Sequence, residues 1–289
     1  MIDIHCHVGK LYFDPFIDPE LVLSWMDKYD VRKAALHPIE NPEETAYYVT
    51  TWYILEVCRQ HPDRFIPFMN VDPRRLQSDA SVPFHRIIEE YKDLGCKGFG
   101  ECMSGLYADD PRLQSIYEAC GELEIPIIFH QDYLRTRDEV GLPRFEKMIR
   151  KFKKTIFCGH GPGFWANISG DLEPGAYGFP NPQQKTDGPV VEGGAVPRLL
   201  EEYPNAYADI SAGSGYNALT REPEYGYEFL ERFQDKLFFG TDICHTSQIE
   251  DDKIPHATYL RDALAAGKIS QQCFDKIAEE NAIRVFDLE

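Results

Sequence analysis

Apolar residues recur along this chain in two alternating rhythms. Ile2, Ile4 and Cys6 interleave with Asp3, His5 and His7, the period-two spacing of a strand. On that spacing His5 and His7 share one face, with Ile2, Ile4 and Cys6 on the other. Residues 18–29 then place Leu21, Leu23, Trp25 and Met26 at helical intervals, and residues 33–37 form a second apolar run stopped by Pro38. The exchange continues with a helix over 43–60, strand 65–71, helix 84–94, strand 96–101, helix 111–122, strand 125–130, helix 143–153 and strand 155–160. After a Gly/Pro-rich stretch over 161–194 come helix 196–203, strand 206–211, helix 222–233, strand 237–242 and closing helices at 256–266 and 270–286.

Eight strands, each followed by a helix, end near residues 7, 37, 71, 101, 130, 160, 211 and 242. The repeat is about 30 residues long, broken only after the sixth strand. This predicts an α/β fold: a (β/α)8 TIM barrel, one domain over residues 1–289, with a long loop insertion after strand 6 and a catalytic face at the strand C-termini. A doubly wound open sheet is the alternative, disfavoured because the first strand leads into no Gly-rich phosphate turn.

Composition narrows the partners. A net charge of −18 repels phosphate backbones, so no nucleic-acid partner is expected. No apolar run is long enough for a membrane span, and no basic segment opens the chain as a signal peptide would. The eight cysteines are scattered without a C-x-x-C pair, which reads as reduced core thiols in a cytoplasmic protein. A small-molecule substrate is the expected partner, and the insertion is a candidate contact for a homo-oligomer.

The histidines give the barrel its chemistry. His5, His7, His37, His130, His160 and His245 lie at or just beyond strand ends, whereas His61, His85 and His256 fall in helices. Glu101 ends strand four; Asp242 ends strand eight, which neighbours strand one in a closed barrel. Two residues apart on a strand, His5 and His7 stand about 6.6 Å from each other, close enough to share an ion. Imidazole with carboxylate suits one divalent ion, Zn2+ first, with Mn2+ or Fe2+ as alternatives, and an open coordination position would hold an activated water.

The ordered set His5-x-His7, His130, His160 and Asp242 resembles the amidohydrolase superfamily of metal-dependent barrel enzymes, and the closing Glu280-Asn281-Ala282-Ile283-Arg284-Val285-Phe286 resembles its amidohydrolase-2 branch. The resemblance implies a metal-dependent hydrolase of a small organic molecule, with non-oxidative decarboxylation as the alternative. It implies His5, His7, His130 and Asp242 as ligands, Asp242 also as proton acceptor, and His160 as the group that polarises a carbonyl or carries a proton. Strand four lacks the modified lysine of the binuclear hydrolases, since Lys97 lies at its start. Gly98-Phe99-Gly100-Glu101 instead resembles the bridging-glutamate motif of TatD-type deoxyribonucleases, a second alternative in which Glu101 joins a second ion. Otherwise Glu101 hydrogen-bonds a ligand histidine or pairs with an arginine.

The remaining candidates line the mouth. Phe164 and Trp165 either wall an apolar substrate or anchor the 161–194 segment. His245 and His37 are candidate substrate contacts, and Asp209 a candidate buried partner. Decarboxylation would call for a cation, and Arg74, Arg75, Arg135, Arg137 and Arg221 all follow strands with nothing in their spacing to choose among them.

Overall fold

The computed structural model describes residues 1–11, 15–42, 48–75, 81–181, 184 and 186–288. Eight strands lie side by side in chain order: β1 (Ile2–Cys6), β2 (Lys33–Leu36), β3 (Phe65–Met69), β4 (Gly98–Cys102), β5 (Ile127–His130), β6 (Phe157–His160), β7 (Ala206–Asp209) and β8 (Leu237–Phe238). All pair in parallel. The seam between the last strand and the first is closed by a parallel bridge from Cys6 to Ile243. There Ile4 N–H donates to the Phe239 carbonyl (3.0 Å) and His7 N–H to that of Ile243 (2.9 Å). The molecule is thus a (β/α)8 barrel.

Helices α1 (Pro19–Lys28), α2 (Thr51–Gln60), α3 (Phe84–Asp93), α4 (Pro111–Glu122) and α5 (Pro143–Lys151) follow the first five strands. Their starts are written locally. The side chains of Asp18, Thr50 and Asp110 accept from the backbone N–H groups of Glu20, Tyr53 and Arg112, answering donors that a helix leaves open at its first turn. That cap explains why α2 begins at Thr51, later than the 43–60 helix expected from spacing. Val49 bridges Ile39 just before it, and 43–47 lie outside the described residues.

After β6 come a short helix α6 (Pro162–Ala166) and a single turn at Ala176–Gly178, then α7 (Ala195–Glu202). Residues 182, 183 and 185 of the segment read as an insertion lie outside the described residues. Strand β7 leads into α8 (Ala212–Thr220) and α9 (Pro223–Arg232); α10 (Thr246–Glu250), α11 (His256–Ala265), α12 (Gln271–Asp275), a π-helical turn Lys276–Glu280 and α13 (Asn281–Val285) finish the chain. The α8 helix begins in the small residues Ala212, Gly213, Ser214 and Gly215. The π turn interrupts what spacing predicted as one helix over 270–286.

Two apolar layers surround the strands. Leu36, Phe65, Met69, Phe99, Ile127, Phe129, Phe157 and Leu237 face the helices. Inside, Ile2, Ile4, Ala35, Ile66, Phe68, Ile128, Cys158 and Phe238 meet one another, and Phe286 plugs the end where the strands begin. Each such fully buried large side chain contributes roughly 1.5–3 kcal/mol. None of the eight cysteines forms a disulfide among the described residues, and seven of them are buried. Among the described residues, no helix is long and apolar enough to cross a membrane.

One expectation about β1 fails. Ile2 and Ile4 belong to the interior layer and only Cys6 to the outer one, so the isoleucines do not oppose His5 and His7. The β1–β2 register shifts between Asp3 and Cys6. An extra residue in one strand reverses the facing of everything after it. The Asp3 carboxylate anchors the irregularity by accepting from His5 N–H (3.0 Å), Thr241 N–H (3.0 Å) and the Thr241 hydroxyl (2.6 Å).

Candidate metal centre at the barrel mouth

The interior positions that end the strands carry the polar cluster. In β2, β5, β6 and β7 the alternation that turns Ala35, Ile128, Cys158 and Tyr207 inward also turns His37, His130, His160 and Asp209 inward two residues later. His5 and His7 join them from β1, Glu101 from β4, and Asp242 from the turn after β8. Asp242 takes a left-handed backbone (φ 57°), which Asp tolerates better than most residues, and its N–H donates to the His5 carbonyl (2.8 Å). Strand β8 is shorter than the 237–242 expected, so Asp242 sits on a turn. Gly161 (φ 92°) turns the chain after His160, where a side chain would press on the Gln131 backbone.

His5 Nε2, His7 Nε2, Glu101 and Asp242 each offer one ligand atom, all within 4.8 Å of one another. Two further groupings meet the same limit, His5 with His160 and Asp209, and Glu101 with His130 and His160. Glu101 therefore stands between the first grouping and the last. Its Oε2 lies 3.5 Å from His5 Nε2 and 3.4 Å from His7 Nε2, while its Oε1 lies 2.5 Å from His130 Nδ1 and 3.4 Å from His160 Nε2.

The outer nitrogens of these rings are fixed by acceptors. His5 Nδ1–H donates to Asp209 Oδ2 (3.0 Å), His160 Nδ1–H to Asp209 Oδ1 (2.9 Å), and His7 Nδ1–H to the His37 carbonyl (3.2 Å). A carboxylate or carbonyl can only accept, so each proton is assigned to Nδ1 and each Nε2 lone pair turns into the cluster. His5 Nε2 and His160 Nε2 are buried with no hydrogen-bond partner among the described residues. Histidines oriented this way are what metal ligation requires, and the residues fit a divalent ion.

Electrostatics point the same way. Burial alone would raise the Glu101 and Asp209 carboxyls, but the positive charge of the surrounding histidines, His130 and His160 respectively, holds both well below the usual range. Burial lowers His5, yet Glu101 and Asp209 together raise it well above the ordinary imidazole value. Buried carboxylates in such numbers call for positive charge, which protonated imidazoles or a cation can supply.

Other sequence candidates fall in distinct places. His37 is fully buried behind His5, stacked on it at 4.5 Å, with Nε2–H donating to the Ile4 carbonyl (2.8 Å). Burial and the charge of His5 push its pKa well down, so it is a neutral support. His245 is half-buried, and its N–H donates to Gln248 Oε1 (2.7 Å) at the start of α10, outside the ligand groupings. Phe164 is buried against Gly159 and Trp165, in the anchoring position. Trp165 is also buried, and its indole N–H donates to the Asp209 carbonyl (3.1 Å). It walls one side of a cavity of about 280 Å³ together with Asp132, Tyr133, Ser214 and Arg221. Sequence reading missed Asp132, whose Oδ2 lies 3.3 Å from His130 Nε2; its position two residues past His130 was the available signal.

Fold and site together define a barrel whose strand ends converge on a buried histidine–carboxylate cluster able to hold a metal ion. The model of the Amidohydrolase family matches residues 2–288, and the chain belongs to that family, which is metal-dependent. No curated protein matches the chain significantly. Among solved structures, an uncharacterized TIM-barrel protein from Bordetella bronchiseptica shares 14% identity at a TM-score of 0.68, over 100% of this chain and 99% of that one. The 5-carboxyvanillate decarboxylase of Sphingomonas paucimobilis shares 15% at 0.61, over 100% and 99%. A probable 2-pyrone-4,6-dicarboxylic acid hydrolase from Acinetobacter baumannii, with citric acid bound, shares 15% at 0.59, over 99% and 98%. Both hydrolases and decarboxylases thus occur among proteins of this fold.

Proposed function

We propose that the protein is a metal-dependent hydrolase of a small organic molecule, with its active site at the His5–His7–Glu101–Asp242 cluster. The observation that carries this reading is the paired state of the histidines: Nδ1 of His5 and His7 bound to acceptors, Nε2 directed at two carboxylates. A divalent ion held there, Zn2+ before Mn2+ or Fe2+, supplies Lewis acidity that acidifies a coordinated water and polarises a carbonyl.

The chain's own groups do the rest. Asp242, whose side chain is 18% exposed against 4% for Glu101, is the carboxylate that meets solvent and accepts the proton of the attacking water. His160, aligned by Asp209 Oδ1 and Ser211 Oγ (3.0 Å), presents Nε2 to the substrate carbonyl or returns a proton to the leaving group. Glu101 fixes His130 and would help to hold the ion, and with His130 and His160 it would hold a second if one is bound. Location in the cytoplasm fits the reduced thiols. Non-oxidative decarboxylation remains the second reading, because a centre of this kind can also bind a substrate carboxylate.

Metal analysis of protein purified without chelator tests the centre: about one equivalent or more of transition metal is expected, reduced to background in the His5→Ala/His7→Ala protein. Metal-free protein with full activity would refute it. A product assay on lactones, amides and carboxylates separates the two reactions, since only decarboxylation releases CO2.

A further inference from the structure

The cavity beside the cluster is lined by a positive charge that no carboxylate pairs with among the described residues, Asp171, Glu222 and Asp187 acting on it only at a distance. Arg221, at the end of α8, donates from Nη1 to the Thr186 carbonyl (3.0 Å). Its Nε and Nη2 are buried with no partner among the described residues. Those two N–H groups form the parallel edge with which a guanidinium grips a carboxylate bidentately. The other arginines that follow strands are differently placed: Arg74 is held by Asp72, Arg75 by Glu40 and Arg135 by Asp132, while Arg137 lies over the Tyr107 ring.

The walls match an organic acid. Ser214 Oγ, buried and without a partner among the described residues, lines the same space as Arg221. Trp165, Tyr133, Leu172 and Pro180 make much of the remaining lining apolar. Asp132 is the one acid among the described lining residues, and it is committed to Arg135 and His130. A volume of about 280 Å³ suits a one-ring molecule, being at the low end of small-molecule sites. The cavity also abuts the cluster twice, through Asp132 to His130 and through Trp165 to Asp209.

We propose that this cavity binds the non-reacting carboxylate of a small ring-bearing organic acid, with Arg221 as bidentate anchor, Ser214 as a further donor and Trp165 against the ring. The assignment names the substrate class of the reaction proposed above and rests on that reading of the metal centre. Anchored at Arg221, the acid extends past Asp132 toward His130.

The test uses metal-loaded protein titrated with benzoate and with benzamide, its uncharged analogue of the same shape, followed by calorimetry. Benzoate is expected to bind at least ~10-fold more tightly than benzamide, Arg221→Met to abolish that preference and Arg221→Lys to restore part of it, with metal content unchanged. Equal affinity for the two ligands in the unsubstituted protein overturns the assignment, a comparison that holds even where Arg221→Met does not fold. A preference that survives in folded Arg221→Met overturns it too, because benzoate would then be bound elsewhere. Protein that holds no metal yet keeps an Arg221-dependent preference defeats the metal centre and leaves the carboxylate site standing; bound metal without the preference does the reverse.

Discussion

Asp209 serves two histidines at once: one oxygen takes His5, the other takes His160 together with the backbone N–H (3.1 Å) and the hydroxyl of Ser211. Asp209→Asn keeps the volume but offers one acceptor oxygen in place of two and turns a donor NH2 toward a ring N–H. Metal affinity is expected to fall by roughly 10–100-fold, as for other partners of ligand histidines, with far-UV circular dichroism unchanged. Competition with a chromophoric chelator measures it. His130 gives a second prediction. Burial would depress it, but Glu101 and Asp132 push it up to about 9 from the usual 6.5. A group raised on folding adds stability that is complete below the unfolded value and disappears as pH rises through the folded one. Metal-free protein should therefore lose on the order of 1–3 kcal/mol between about pH 6.5 and 9 in urea unfolding, and metal-loaded protein much less, because the ion takes over the charge of Glu101.

At the scale of elements, the contact between α8 and α9 depends on Gly226. A methyl group there would come within 1.9 Å of the Leu219 carbonyl oxygen. Alanine is favoured over glycine inside a helix by about 1 kcal/mol, but overpacking against backbone costs typically 1–3 kcal/mol and moves the helices. Gly226→Ala should lower stability by about 1–2 kcal/mol in chemical denaturation; an increase would show that the helices separate freely. Much of this architecture was legible in the chain. The starts of α1 and α4 carry Asp-Pro caps, and strand ends were located through His37, His130 and His160. Three features were not. The β1 irregularity is held by Asp3 through Thr241, 238 residues away, and leaves the local alternation intact. Helix α8 opens through Gly213-Ser214-Gly215, residues of weak propensity, and is held by packing against α6 and α9. The five post-strand arginines were equivalent in sequence; only folded loops decide that Arg74 pairs with Asp72 while Arg221 forms no ion pair among the described residues.

For the molecule as a whole, an ion held by the proposed centre would join strands from opposite ends of the chain and so couple binding to folding. A ligand at about 1,000 times its dissociation constant adds about 4 kcal/mol to stability. Removing metal with a chelator should lower the midpoint of thermal unfolding by on the order of 5–15 °C, with readdition restoring it. A midpoint indifferent to chelation and readdition would mean that the cluster is stabilised by its imidazolium charges alone. The cluster itself was readable as a set, since His5, His7, His130, His160 and Asp242 occur in barrel order. The central place of Glu101, touching four histidines at once, was not, because it depends on how far β4 projects into the mouth.

The seam between β1 and the turn after β8 sets a timetable. His5 and His7 leave the ribosome well before residue 242, the carboxylate that completes their grouping, and before Ile243, which supplies the bridge that holds His7 in line. A growing chain thus carries half a chelate through most of its synthesis. The proposed centre would come into being only when the eighth strand docks, so an unfinished product would be an inert one.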